Sequence, residues 1–165
     1  MSINWRFMNK SDLAAICEVA SICHPDYPED EAVLAQKQAL APQSCYILEK
    51  DSKPSGYILA HPWKAHNIPP LNQLLDGLPQ DADTLYLHDI AILPDARIGG
   101  VGSLGLKNLY QQAKALGYSS MSLVAVNNSS PFWLKQGFVT QVVNSTLQQK
   151  LLTYSEDALY MMKTL

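Results

Sequence analysis

The sequence is short of charge, short of cysteine, and over residues 96–155 holds no aspartate or glutamate at all. Charged residues are only 16% of the chain, yet hydrophobic residues reach 47%, which excludes a disordered polyelectrolyte and points to a folded core. Three cysteines, Cys17, Cys23 and Cys45, are odd in number and lack metal-ligand spacing. They exclude a disulfide framework and read as reduced thiols of a cytoplasmic protein. No apolar run approaches the ~20 residues that a bilayer-spanning helix needs, so no membrane partner is expected. The start, Met-Ser-Ile-Asn-Trp-Arg-Phe, has neither the basic nor the apolar region of a signal peptide. His24, His61 and His66 share no ligand spacing with one another or with the cysteines, so no metal is expected. Basic residues are sparse and not interleaved with aromatics, which argues against nucleic acid.

What is present fits one domain over residues 1–165, a length that can bury a real core. Residues 1–95 carry thirteen acids against six bases, whereas residues 96–155 carry five bases and no acid. A polyanionic ligand would favour the second region and a cationic one the first.

The densest signal lies at Tyr86–Gly105. An apolar strand runs into a turn with Pro94 and Arg97, and a glycine-rich loop then opens a helix. Free amides and the positive end of a helix dipole make such a loop a phosphate cradle. The glycines leave those amides approachable. Gly100-Val101-Gly102-Ser103-Leu104-Gly105 fits the G-x-G-x-x-G of dinucleotide-binding folds, but that pattern needs an acid about 20 residues on for the ribose. None exists there. Arg97-Ile98-Gly99-Gly100-Val101-Gly102 also reads as R-x-x-G-x-G. Further on, a short apolar strand is followed by Asn127, then Pro131-Phe132-Trp133, and then Gly137-Phe138.

These two motifs together resemble the GNAT superfamily of acetyl-coenzyme-A-dependent N-acetyltransferases. The match is closest to the arylalkylamine N-acetyltransferases, which carry a histidine in the strand and a Pro-Phe-aromatic before the Gly-Phe. The resemblance implies an α/β (α+β) fold, a mixed and mostly antiparallel central sheet flanked by helices. It implies acetyl-CoA as co-substrate, with no metal, and a small-molecule or peptide amine as acceptor. The oligomeric state is open, a homodimer included. The alternative is a catalytically degenerate GNAT-fold module that binds coenzyme A as a sensor or partner platform.

The pattern of residues predicts strands near Ile3–Phe7, Ser44–Glu49, Gly56–Ala60, Leu85–Leu93, Ser120–Val126, Phe138–Val143 and Leu159–Lys163. Helices are expected from a Ser11-Asp12 cap to about Cys23, after the acidic loop Cys23–Glu31 to about Leu40, over Gly100–Leu116 and at Ser130–Gln136, with a short one near Asn72–Leu75. The proline-rich connection 61–83 is long enough to suggest a binding role.

Acetyl transfer to an amine needs a proton acceptor, because an alkyl amine is mostly protonated at neutral pH. Strand alternation would put Tyr86, His88, Ile90 and Ile92 on one face, with Leu87, Asp89 and Ala91 on the other. His88 is the candidate base, since an imidazole titrates near ~6.5, and Tyr86 is its alternate. The resemblance assigns the pantetheine arm to the backbone of Ile90, Ala91 and Ile92. It assigns the pyrophosphate to Ile98, Gly99, Gly100, Val101, Gly102 and Ser103 with Arg97, and further cofactor contacts to Asn127 and Phe132. Tyr27, in the acidic loop, is the candidate substrate contact. The family's usual acid, a tyrosine four residues before the Gly of Gly-Phe, is Trp133 here. Tyr154, Tyr160 and Tyr86 remain alternatives for that role.

Overall fold

The computed structural model describes residues 1–165. Seven strands, β1 (Ile3–Phe7), β2 (Cys45–Lys50), β3 (Lys53–Trp63), β4 (Thr84–Ile92), β5 (Ser120–Ala125), β6 (Val139–Thr140) and β7 (Leu159–Thr164), form one sheet in the order β1-β2-β3-β4-β5-β7-β6. Every neighbouring pair is antiparallel except β4 with β5. The sheet is flanked by α1 (Leu13–Cys23), α2 (Glu31–Leu40), α3 (Val101–Ala115), α4 (Ser130–Lys135) and α5 (Ser145–Leu152). The mixed, mostly antiparallel architecture expected from the sequence is the one found.

Apolar periodicity explains the layers. Leu13, Ile16 and Val19 of α1 and Leu34 of α2 pack on Ile47, Tyr57, Leu59 and Ala91. Leu106, Leu109 and Ala113 of α3 pack on the opposite face against Leu85, Leu87, Met121 and Leu123, joined by Trp133 and Phe138. A third cluster seats Leu147 and Leu151 of α5 on Tyr160. The tight turn at Asp51 and Ser52, with φ of 51° and 65°, closes the β2–β3 hairpin as a left-handed two-residue loop.

Four sequence expectations are corrected. Asp12 holds the cap position of α1 but makes no side-chain cap bond; Asn9 caps the 3-10 turn Lys10–Asp12 before it, accepting from the Ser11 amide while Asp12 accepts from the Asn9 amide. Residues 72–75 form no helix but part of an irregular segment with Asn72 at positive φ. The strand expected at 138–143 shrinks to Val139–Thr140, and α5 follows under an Asn144 cap.

The fourth concerns the site directly. The β3–β4 register slips between Leu59 and Ala60, which face Asp89 and Leu87, leaving His88 as the unpaired residue of a β-bulge. Alternation therefore breaks at His88. Leu87 and Ile90 share the α3 face, while Asp89 and Ala91 turn toward α1.

Candidate active site

The parallel pairing of β4 with β5 covers only Leu85–Met121 and Tyr86–Ser122. Beyond Tyr86 the two strands part, so the β4 edge from Leu87 to Ile92 has no strand partner on that side. A cleft of about 420 Å³ opens there, lined by Ile90, Ala91, Ile92, Arg97, Ile98, Gly99, Gly100, Val101, Gly102, Ser103 and Phe132, with Cys23 and His24 at its other wall. The sequence-predicted cofactor residues thus come together in one cavity, apart from Asn127. Asn127 and Asn128 are exposed at φ of 56° and 55°, a left-handed turn that asparagine tolerates, and neither lines the cleft.

The glycine turn has the geometry of an anion cradle. Gly99 and Gly100 hold φ of 45° and 78°, and a Cβ on either would meet nothing within 4 Å, so the space before their amides is open. Gly100 caps α3 with no side chain; the Val101 amide closes onto the Ile98 carbonyl, and the Gly102 and Ser103 amides are left free at the dipole's positive end. These residues fit a pyrophosphate. Gly105 answers to packing instead: its Cα faces the Trp5 indole, whose Nε1 donates to the Val101 carbonyl at 2.9 Å. Arg97 donates from Nε to the Ile92 carbonyl at 2.8 Å, which ties the turn to the end of β4.

Two carboxylate–imidazole pairs stand where this cleft meets the other face of the sheet. His88 Nε2 lies 2.6 Å from Glu29 Oε1, both side chains nearly buried, and His88 Nδ1 is buried without a partner. Burial pushes the Glu29 carboxyl up, but the His88 contact and the charge of Lys37 outweigh it and hold Glu29 below its ordinary range. His24 Nε2 lies 2.8 Å from Asp89 Oδ1, and Asp89 also accepts from the Tyr57 hydroxyl. Asp89, with the Ile90 carbonyl, holds the His24 imidazole above its ordinary range against the opposing pull of burial. His24 borders the cofactor cleft, a small slot of about 70 Å³ and a side chamber of about 260 Å³. It is the junction of the three.

The slot holds His88, Glu29, Asp89, Tyr27, Leu71, Val124, Val126 and Tyr154. Tyr27 and His88 therefore both line the slot. Tyr86 does not reach the slot; it is fully buried between the His61 and His88 rings and interacts with Tyr154. Of the three alternative tyrosines, only Tyr154 lines the slot, its hydroxyl donating to the Pro69 carbonyl at 2.5 Å, with burial raising its pKa to about 12. Trp133 is core, edge-on to Phe132 and Phe138. Sequence reasoning pointed to the acidic loop that holds Glu29 and to Asp89 as a helix-facing partner, but it missed His24 and both pairings. A His-Pro-Asp-Tyr-Pro-Glu loop was visible, but its pairing to β4 is a tertiary fact.

Comparison with known proteins places this geometry. A sequence model of the Acetyltransferase (GNAT) family matches residues 13–138. Among curated proteins, none matches the sequence. Three solved structures of similar fold are N-acetylglutamate synthase from Neisseria gonorrhoeae complexed with coenzyme A and N-acetyl-glutamate, the loading GNATL domain of CurA from Lyngbya majuscula, and the ribosomal-protein-S18-alanine N-acetyltransferase from Escherichia coli. The first is 16% identical with a TM-score of 0.74; it is matched over 100% of this chain, which spans only 35% of that protein's length. The CurA domain is 16% identical over 99% of this chain and 98% of its own, with a TM-score of 0.83. The Escherichia coli enzyme is 17% identical over 99% of this chain and 94% of its own, with a TM-score of 0.69. These identities speak to fold alone. With the family match spanning most of the chain, over the cradle and the Gly-Phe alike, the protein belongs to the GNAT acetyltransferase family.

Proposed function

We propose that the protein is an acetyl-CoA-dependent N-acetyltransferase in which a primary amine attacks the thioester directly. The observation that carries this reading is the adjacency of the glycine-edged cleft and the carboxylate–imidazole slot, which share His24 as a lining residue. When bound, acetyl-CoA supplies the activated acetyl group. Ile90, Ala91 and Ile92 offer it a strand edge, and the Gly99–Ser103 turn with Arg97 holds its phosphates.

His88 takes the proton of the amine. Glu29 accepts the Nε2 proton, which leaves the lone pair on Nδ1, the atom without a partner. This is the base-plus-orienter logic in which a carboxylate fixes the tautomer and stabilises the imidazolium that forms. His24 is set up differently. Asp89 favours its charged form, so it serves as a fixed positive group beside the reacting carbonyl rather than as a proton acceptor. Tyr154 gives its one hydroxyl proton to the Pro69 carbonyl, so no acid is assigned; a thiolate, with a pKa near ~8.5, leaves with little help. The strand histidine and the Pro131-Phe132-Trp133 run support a likeness to arylalkylamine acetyltransferases.

The test is thiol release from acetyl-CoA across an amine panel, paired with calorimetric titration of coenzyme A. Turnover with at least one amine is the expected result. Tight coenzyme A binding with no turnover on any amine would instead favour the sensor reading, which Trp133 at the family's acid position keeps specific.

A further inference from the structure

We infer that the acceptor is a compact cationic amine without a carboxylate, and that the segment 64–83 shuts out peptide N-termini. This rests on the acetyltransferase reading. The segment crosses above the slot and is fastened at both ends. On the α2 side, Gln36 clasps Leu75 by two bonds of 2.7 Å, one to its amide and one to its carbonyl. Asn72 accepts from the Asp30 amide at 2.7 Å and gives its own amide to Glu29 at 3.3 Å. On the far side, Tyr154 holds the Pro69 carbonyl, and the Tyr160 hydroxyl takes the His66 amide at 2.8 Å. Leu71 from this strap lines the slot itself. An extended peptide advances ~3.3 Å per residue and needs an open trench beyond its first amine. The strap occupies that path.

Size and charge point the same way. The slot of about 70 Å³ and the chamber of about 260 Å³ both fall below the ~300–1,000 Å³ of ordinary drug-sized sites. No lysine or arginine lines either one, whereas Glu29 and Asp89 line both. His24, which lines both, is paired with Asp89. An added carboxylate would stand beside Glu29 and Asp89 with no lysine or arginine lining the walls to pair it, a penalty that an ammonium group does not meet. Glu29 bonds both Asn72 and His88, so the strap is tied to the proposed base through a single carboxylate.

The experiment measures kcat/KM with acetyl-CoA for butylamine and 2-phenylethylamine, for their α-carboxylated counterparts 2-aminopentanoic acid and phenylalanine, and for a hexapeptide with a free N-terminus. The amines are expected to exceed their carboxylated counterparts by about 10²-fold or more, like-charge contact costing several tens-fold at least. The peptide is expected to stay at background. A strap-loosened variant, Gln36→Ala with Asn72→Gly (glycine because φ is 49° there), should raise peptide turnover relative to amine turnover. Asn72→Gly alone provides the same readout with the Gln36 clasp intact. Wild-type acetylation of the peptide or of the carboxylated counterparts at rates equal to the amines overturns the inference and leaves the acetyltransferase reading standing. No acetylation of any probe by protein that binds acetyl-CoA overturns that reading, and the inference with it.

Discussion

His88 and Glu29, 59 residues apart in the chain, share a buried hydrogen bond of 2.6 Å, and the imidazole nitrogen away from it is left unpartnered. A bulge completes the arrangement: with His88 unpaired between Leu87 and Asp89, alternation shifts by one residue and Asp89 turns to the same slot as His88. If this pair is the base and its orienter, His88→Gln should lower kcat ~10²–10⁴-fold with little change in acetyl-CoA affinity. Glu29→Gln should lower kcat less and move the acid limb of the rate profile, because the imidazole survives without its partner. Full activity of His88→Gln toward an alkyl amine, with its pH profile unmoved, would remove His88 from the mechanism.

Gly102→Asp separates binding from folding. The residue stands in the first turn of α3, where a Cβ would meet only Ile92 Cδ1 at 3.5 Å. A carboxylate there favours the helix by ~0.3–1 kcal/mol while repelling a pyrophosphate from the same amides. The expected outcome is a melting temperature at or above that of wild type and no calorimetric signal with coenzyme A. Retained affinity would mean that the phosphates lie elsewhere.

Arg97 has a structural bond as well as a proposed phosphate contact. Arg97→Ala should weaken coenzyme A by ~1.5–3 kcal/mol, the scale of a charge-assisted hydrogen bond. Arg97→Lys restores the charge but not the Nε bond to the Ile92 carbonyl, so it should fall between the two. Titration at low salt distinguishes them. Equal affinities for all three would show that backbone amides alone hold the anion.

The parts of this site that could be read in sequence are those built from neighbours along the chain. The turn Arg97–Gly102 is one: its φ values, its uncapped helix and its open face all follow from consecutive residues. The Gly137-Phe138 ending is another. The parts that could not be read depend on contacts across the sheet. His24 reaches Asp89 from the end of α1, and Glu29 reaches His88 from a loop. Neither spacing has a periodicity to betray it. The bulge is invisible because alternation is the only rule a single strand offers. Helix α5 was there to be found: Asn144 before Leu147 and Leu151 is a cap followed by an i, i+4 apolar pair.

Gly105 shows the same limit, since a third glycine in a phosphate motif invites a functional reading while its neighbour is Trp5. A Cβ at Gly105 would come within 2.5 Å of the indole, which its bond to Val101 keeps from swinging aside. Gly105→Ala should cost ~1–3 kcal/mol by overpacking. Trp5→Leu in the same background should recover part of the loss, giving a coupling energy of ~0.5–3 kcal/mol in urea denaturation. Strict additivity would mean that α3 shifts without meeting Trp5.

The His24–Asp89 pair gives a pH signature whose sign is fixed by the directions of its two shifts. His24 is raised above the ~6.5 of a free imidazole, so its contribution to stability is complete below about 6.5 and fades as pH rises through the higher folded value. Burial pushes the Asp89 carboxyl up, but its contacts with His24 and Tyr57 prevail and hold it low. Its contribution is therefore complete above about 3.9 and fades as pH falls through the depressed value. Together they stabilise most between about pH 4 and 6.5. The unfolding free energy lost in His24→Gln should be larger at pH 5.5 than at pH 9, measured by urea titration at both. A loss larger at pH 9 than at pH 5.5 would mean that His24 is neutral in the folded protein. It would then compete with His88 for the proton of the amine, and the acid limb of the rate profile should follow His24→Gln instead of His88→Gln.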